Sequence, residues 1–237
     1  MSALLTMTDV RAGYGESEVV HGIDLDVPAG GVAAILGHNG AGKTTTIKSC
    51  AGILLFDQGE ILIDGLSVTE NPIEVKKKIA YIPDNPDLYE FMTGIKYLNF
   101  IADVFAIDSN TRQERIRKYA DLFELTDSLA QAVSSYSHGM KQKLAIISAW
   151  IHEPKLIIMD EPFVGLDPKS AHLLKGMMRE VCDSGGAIFF STHVLDVAEK
   201  LCDKVAVIKE GRLIKSGTMD EVKGDASLES AFLEMEG

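Results

Sequence analysis

The stretch "GHNGAGKT", residues 37–44, constrains this chain more than any other feature. It fits G-x-x-x-x-G-K-[ST] at every fixed position, follows an apolar run at 32–36 and opens a helical pattern at 43–54. Glycines let backbone N–H groups converge on phosphate oxygens without a side-chain clash, and a helix N-terminus adds a favourable dipole. Gly37, His38, Asn39, Gly40, Ala41, Gly42, Lys43, Thr44 and Thr45 are therefore candidate phosphate-binding residues. Lys43 would reach the β- and γ-phosphates, and the Thr44 hydroxyl would ligate Mg²⁺.

The strand before this loop has counterparts. Short apolar runs at 156–159, 187–190 and 205–208 are of the kind found in buried parallel strands. Residues 4–10 and 19–27 also read as strands, and 60–63 runs into the tight turn Asp64-Gly65. Helical patterns at 168–182 and 194–202 separate the later runs. This alternation predicts an α/β fold with a mainly parallel sheet. From about 88 to 152 the pattern is helical, including 111–125 and 139–152, which predicts a helical insertion into that core. Just before it, "KKIAYIPDNPDLYEFMTG" (77–94) starts as a strand and turns irregular at Pro83 and Pro86, which cannot donate to a sheet ladder. Asp84, Asp87, Glu90, Tyr89 and Phe91 crowd this loop.

With 237 residues, 46% of them hydrophobic, the chain can bury a substantial core as one large domain or two intimate subdomains. Its longest apolar runs fall far short of the roughly 18 residues a membrane helix needs, and the N-terminus does not read as a secretory signal. A soluble, cytoplasmic protein is expected. Cys50, Cys182 and Cys202 are odd in number and form no close pair, which fits buried thiols in a reducing compartment. A net charge of -12 argues against nucleic acid as a partner, since phosphate backbones are gripped by clustered Lys and Arg. The one basic triplet, residues 76–78, reads as a solvated helix end.

A second chemical motif is "LIIMDEP", residues 156–162. An apolar strand ending in two carboxylates places Asp160 and Glu161 at the sheet edge where a strand-order crevice holds ligand. Asp160 can hold magnesium through water, and Glu161 can accept a proton from an attacking water. Alone, such a run mostly marks a strand end; downstream of a phosphate loop it reads as the second half of one nucleotide site.

Between and after these motifs lie "SYSHGMKQKL", "GLDP" (165–168) and "STH" (191–193), with "GYG" ahead of the strand at 19–27. In order and spacing this set resembles the ABC transporter ATPases over nearly the whole chain. The resemblance implies a P-loop NTPase (RecA-like) core at 1–84 and 153–237, an N-terminal antiparallel β subdomain, and an α-helical subdomain at 85–152 carrying the signature motif, all within one ATPase domain. It also implies ATP and Mg²⁺ as cofactors, Tyr14 stacked on adenine, His193 on the γ-phosphate, and Asp167 in contacts across a dimer. Ser137 and Gly139 correspond to the signature. At a helix start their free N–H groups and the positive dipole end would face the γ-phosphate of ATP held by a second ATPase subunit, in a homodimer or heterodimer. An isolated serine there is otherwise a plain helix cap.

Two departures stand out. His138 and Met140 replace a glycine and a glutamine of the signature, wording similar to the ABC-2 and Ecs-type exporters. Asp84 stands where the family carries a glutamine that touches magnesium or the attacking water; an aspartate is shorter and anionic, so it could contact Mg²⁺ but would repel bare triphosphate. The resulting expectation is the ATP-hydrolysing subunit of an exporter. It would be held at the inner face of the membrane by a permease subunit on a separate chain, docked near Leu88, Tyr89 and Phe91. The competing class is a soluble ABC ATPase acting in scaffold or metal-cluster assembly. The tail at 227–237 is expected to be a closing helix.

Overall fold

The structure, a computed structural model, describes residues 3–236. Two long strands, β1 (Ala3–Tyr14) and β2 (Ser17–Pro28), form a hairpin that leads into β3 (Val32–Leu36) and α1 (Lys43–Cys50). Next come β4 (Gln58–Ile63), the short β5 (Leu66–Ser67), α2 (Pro72–Lys78) and β6 (Ile79–Ile82). Three helices come after β6: α3 (Gly94–Val104), α4 (Ser109–Leu122) and α5 (His138–Trp150). The chain continues through β7 (Leu156–Asp160), α6 (Pro168–Asp183), β8 (Ala187–Thr192), α7 (Leu195–Leu201), β9 (Lys204–Lys209), β10 (Arg212–Thr218), α8 (Met219–Lys223) and α9 (Leu228–Glu236).

The strands form two sheets. An antiparallel sheet has the order β2-β1-β4-β5, and a larger one the order β10-β9-β3-β8-β7-β6. In the larger sheet every pairing is parallel except that of β10 with β9. Every residue of β3, β7 and β8 is buried, as expected of strands covered on both faces.

Alternation along those strands divides the core in two. Ala33, Ile35, Leu156, Ile158 and Phe189 point into a cluster shared with β1, β2, β4 and α1. Ala34, Leu36, Ile157, Met159 and Phe190 point into the other, shared with α3, α4, α5 and α6. The parallel sheet is thus the middle layer, with the antiparallel sheet and α1 on one face and the helices on the other.

Helix starts obey their side chains. Thr93, Asp108, Ser137 and Asp167 each accept a backbone N–H from the first turn of α3, α4, α5 and α6. Two expected helices end three or more residues early. The pattern at 43–54 is helical only to Cys50, because Gly52 adopts a left-handed φ of 63°. The pattern at 111–125 is helical over Ser109–Leu122, closed by Phe123 and by Glu124 at a φ of 54°. Edge strand β10 gave no apolar run, since each of its residues is at least partly exposed. The three cysteines are buried and free.

Candidate active site

Strand register assembles the site. Leu36 lies beside Thr192, and Asp160 beside Ser191, so the C-terminal ends of β3, β8 and β7 emerge side by side. Each of these strands runs directly into polar residues: β3 into the loop 37–44, β8 into His193 and β7 into Glu161. A cleft of about 240 Å³ is lined there by Val19, Asn39, Gly40, Lys43, Asp84, Asp160 and Glu161, among others. It sits outside the carboxyl ends of parallel strands, where open α/β sheets bind ligands.

The loop's glycines answer steric demands. A Cβ on Gly37 would fall 2.4 Å from the Ile208 carbonyl oxygen, and Gly42 has a φ of 106°. Gly42 also leaves α1 without a side-chain cap, so its first N–H groups remain available to an anion. Lys43, only 7% exposed, folds back to donate to the carbonyls of Gly37 at 2.7 Å and His38 at 3.2 Å, and its Nζ lies 3.9 Å from Glu161 Oε1. Burial pulls the Lys43 pKa down, while Glu161 and Asp160 oppose that shift.

Asp160 is 3% exposed and fully engaged. Thr44 Oγ1 donates to its Oδ2 at 2.7 Å, and the Ser191 hydroxyl donates to its Oδ1. Ser191 Oγ also accepts the Glu161 backbone N–H at 3.0 Å. Glu161 adopts a φ of 44°, a conformation that strains a non-glycine residue by about 1–3 kcal/mol. Its side chain is mostly covered, and Oε1 meets His193 Nδ1 at 2.9 Å. Sequence reasoning placed Ser191 in a motif without a role. Its hydroxyl pins both acids, a function visible only once β7 and β8 are paired.

Asp84 lines the same cleft, and its carboxyl is pushed above the usual carboxylate range. Loss of solvent is the largest cause, then the charges of Asp160 and Glu161, against which His138 and His193 pull. The cleft therefore carries more negative charge than it neutralises, and its donors are hard oxygens: the Thr44 hydroxyl and three carboxylates. That set fits Mg²⁺. The described residues hold no cage of three or more His, Cys, Asp or Glu, but Mg²⁺ keeps several waters and takes one or two carboxylates plus phosphate.

Other expected site residues lie apart. Tyr14 is half-exposed at the tip of the β1–β2 hairpin, where it pairs with Ser17, outside the residues lining the cleft. Ser137 is the exposed cap of α5, accepting the Met140 N–H at 3.3 Å. Beside it His138 lines a separate cleft with Asn85, Pro86, Asp87, Glu90 and Lys141. Gly139 packs against the 165–167 loop, where an added Cβ would lie 2.9 Å from the Gly165 carbonyl. Asp167 caps α6 through Ser170 N–H at 2.8 Å and Ser170 Oγ at 2.7 Å, and pairs with Lys143 of α5 at 3.0 Å. The Ser170 amide bond, then its hydroxyl and Lys143, hold this carboxyl far below its ordinary pKa. Sequence reasoning missed Lys143. A larger cavity, about 690 Å³, lies at the opposite end of the sheet beside Lys155 and Gly186, which precede β7 and β8. Its one acid from the β4–β5 turn, Asp64, is already paired with Lys78 and Lys155.

The family model described as ABC transporter matches residues 20–164, more than half of the chain and including the phosphate loop, the α5 cap and both acids. The chain belongs to the ABC transporter family. The ABC-type transporter ATP-binding protein EcsA of Bacillus subtilis is 32% identical over 98% of this chain and 96% of its own length. The Nod factor export ATP-binding protein I of Cupriavidus metallidurans is 32% identical over 94% of this chain and 73% of its own. A solved structure titled as the ATP binding subunit of an ABC transporter superposes with a TM-score of 0.94 at 35% identity, over 99% of this chain and all of that one. This ABC protein is thus an ATP-binding, ATPase-type subunit of a transporter, which is preferred to the soluble assembly ATPase. Among its described residues no helix is long and apolar enough to cross a membrane.

Proposed function

We propose that this subunit hydrolyses ATP by attack of water on the γ-phosphate, with Glu161 as general base, and so drives an exporter. The observation that carries this reading is the convergence of five groups, four lining one cleft and His193 beside it. Lys43 stands 3.9 Å from Glu161, Glu161 2.9 Å from His193, and Thr44 2.7 Å from Asp160. Incoming phosphate would draw the Lys43 ammonium off the Gly37 and His38 carbonyls and bind the N–H groups of the loop. Glu161 is then free to take the proton of a water, while His193 holds its carboxylate and the γ-phosphate in register. Bound Mg²⁺, held by Thr44, Asp160 and Asp84, would neutralise charge developing on the phosphate oxygens.

Ser137 and Gly139 lie outside this cleft, which supports a second ATPase subunit whose signature turn completes each site. In this reading residues 85–152 form the helical subdomain and Tyr14 stacks on adenine. Tyr89, Phe91 and Phe100 form an exposed apolar patch on that segment, with Phe91 81% exposed and Tyr89 packed edge-on to Phe100 at 5.6 Å, whereas Leu88, expected beside them, is buried in the core. Such a patch suits a permease subunit on a separate chain, which would hold this one at the inner face of the membrane. Export is supported by the similarity to the Nod factor export protein. Glu161→Gln tests the chemistry. It should bind ATP, favour a stable dimer and lose hydrolysis by at least about 100-fold; unchanged steady-state hydrolysis refutes Glu161 as the base.

A further inference from the structure

Phe232, in α9, is 5% exposed and meets the His38 ring of the phosphate loop edge-on, with centroids 5.4 Å apart and planes at 71°. Distance and tilt are those of a favourable edge-to-face pair. His38 holds a pivotal place in the loop, because its carbonyl accepts from the Ala41 N–H at 3.1 Å and from Lys43 Nζ at 3.2 Å. At its other end α9 is fastened. The Leu228 N–H donates to Glu199 Oε2 of α7 at 3.1 Å, and Glu199 pairs with Lys223 of α8 at 3.2 Å. Leu228 and Phe232 share a core with Ala198 and Leu201 of α7, a helix that begins two residues after His193. The C-terminal helix therefore bridges the segment behind His193 and the loop that holds Lys43.

We propose that Phe232 is a positioning residue for nucleotide: through His38 it holds the phosphate loop in the shape that receives the triphosphate. This rests on the reading of the loop as an ATP site. A loop braced before binding loses less freedom on binding, so the brace raises affinity and leaves the chemical step largely untouched. Nothing in the local sequence of the loop supplies this support, since it comes from the far end of the chain.

The test measures ATP dissociation constants by competition with a fluorescent ATP analogue, together with KM, kcat and thermal unfolding, on the full-length chain. Phe232→Ala should weaken ATP binding and raise KM about two- to tenfold, with kcat within about twofold. Phe232→Leu keeps most of the buried apolar volume and loses the ring, so it should recover most of the unfolding midpoint but not the affinity. In a His38→Ala background Phe232→Leu should add no further loss of affinity. The proposal is overturned if Phe232→Leu binds ATP as tightly as the unaltered protein, or if its loss persists in full when His38 is absent. Should Phe232→Ala fail to fold, the Leu variant and its cycle decide alone. Failure of the ATP reading itself is distinct: the unaltered chain would not bind the analogue.

Discussion

The starts of α1 and α5 are built in opposite ways. α1 begins at Gly42 in a left-handed conformation with no side-chain cap, its Lys43 buried and folded onto the loop. α5 begins at Ser137, which caps its own helix, and Ser137 and His138 are exposed. An uncapped, glycine-lined start keeps its N–H groups for a ligand, while a self-capped one is stable without it. The cleft beside α1 is crowded with charge from within one chain, whereas the turn beside α5 is tied to the 165–167 loop and faces outward. The first is a site in itself; the second reads as a surface prepared for one.

Lys43→Ala should break the α1 side of this contrast most severely, lowering hydrolysis by about 10²–10³-fold, the usual cost of losing one donor to developing charge. Phosphate release assays read this directly, and a loss under tenfold would remove Lys43 from the centre of the site. Asp84→Ala tests the acid that lies between the two regions, its pKa raised by desolvation and by Asp160 and Glu161, and lowered by His138 and His193. Magnesium-dependent turnover should fall about tenfold while nucleotide binding without metal holds or improves, since a carboxylate that repels triphosphate is gone. Equal losses in both would count against a metal role.

Asp167→Ala, on the α5 side, should have the smallest effect, lowering stability by about 1 kcal/mol through loss of the α6 cap. The Asp167 pKa is depressed in the folded protein, so its stabilisation is fully present above the ordinary aspartate value near 4 and fades as pH falls below it. Denaturant curves should therefore show a constant gap between the two proteins at neutral pH that narrows below about pH 4. A gap that widens in acid would exclude the cap as its source.

Legibility from sequence tracked the range of the interactions. The loop 37–44 and the pair Asp160-Glu161 were legible because each is a short run whose neighbours, an apolar strand and a helix, are written next to it. Ser137 was legible as a helix start for the same reason, whereas the capping of α6 by Asp167 emerged only in the structure. The double duty of Ser191 was not, because it depends on β8 lying beside β7, which no local pattern specifies. Lys143 was missed because its partner Asp167 is brought to it by packing of α5 against the 165–167 loop. The exposed strand β10 was missed because strands are recognised by burial, and an edge strand has little.

By itself the sequence determined the polar segments that end three buried strands, the helix that each cap begins, and the irregular, aromatic-rich loop after β6. Those features rest on backbone hydrogen bonding and side-chain size within a few residues. Only the tertiary structure decided that Leu36 lies level with Thr192 and Asp160 with Ser191, that the Asp84 carboxyl shares a cleft with two other acids, and that Phe232 reaches back to His38. Strand register and helix docking are set by the summed burial of distant apolar faces, and that sum exists only in the folded chain.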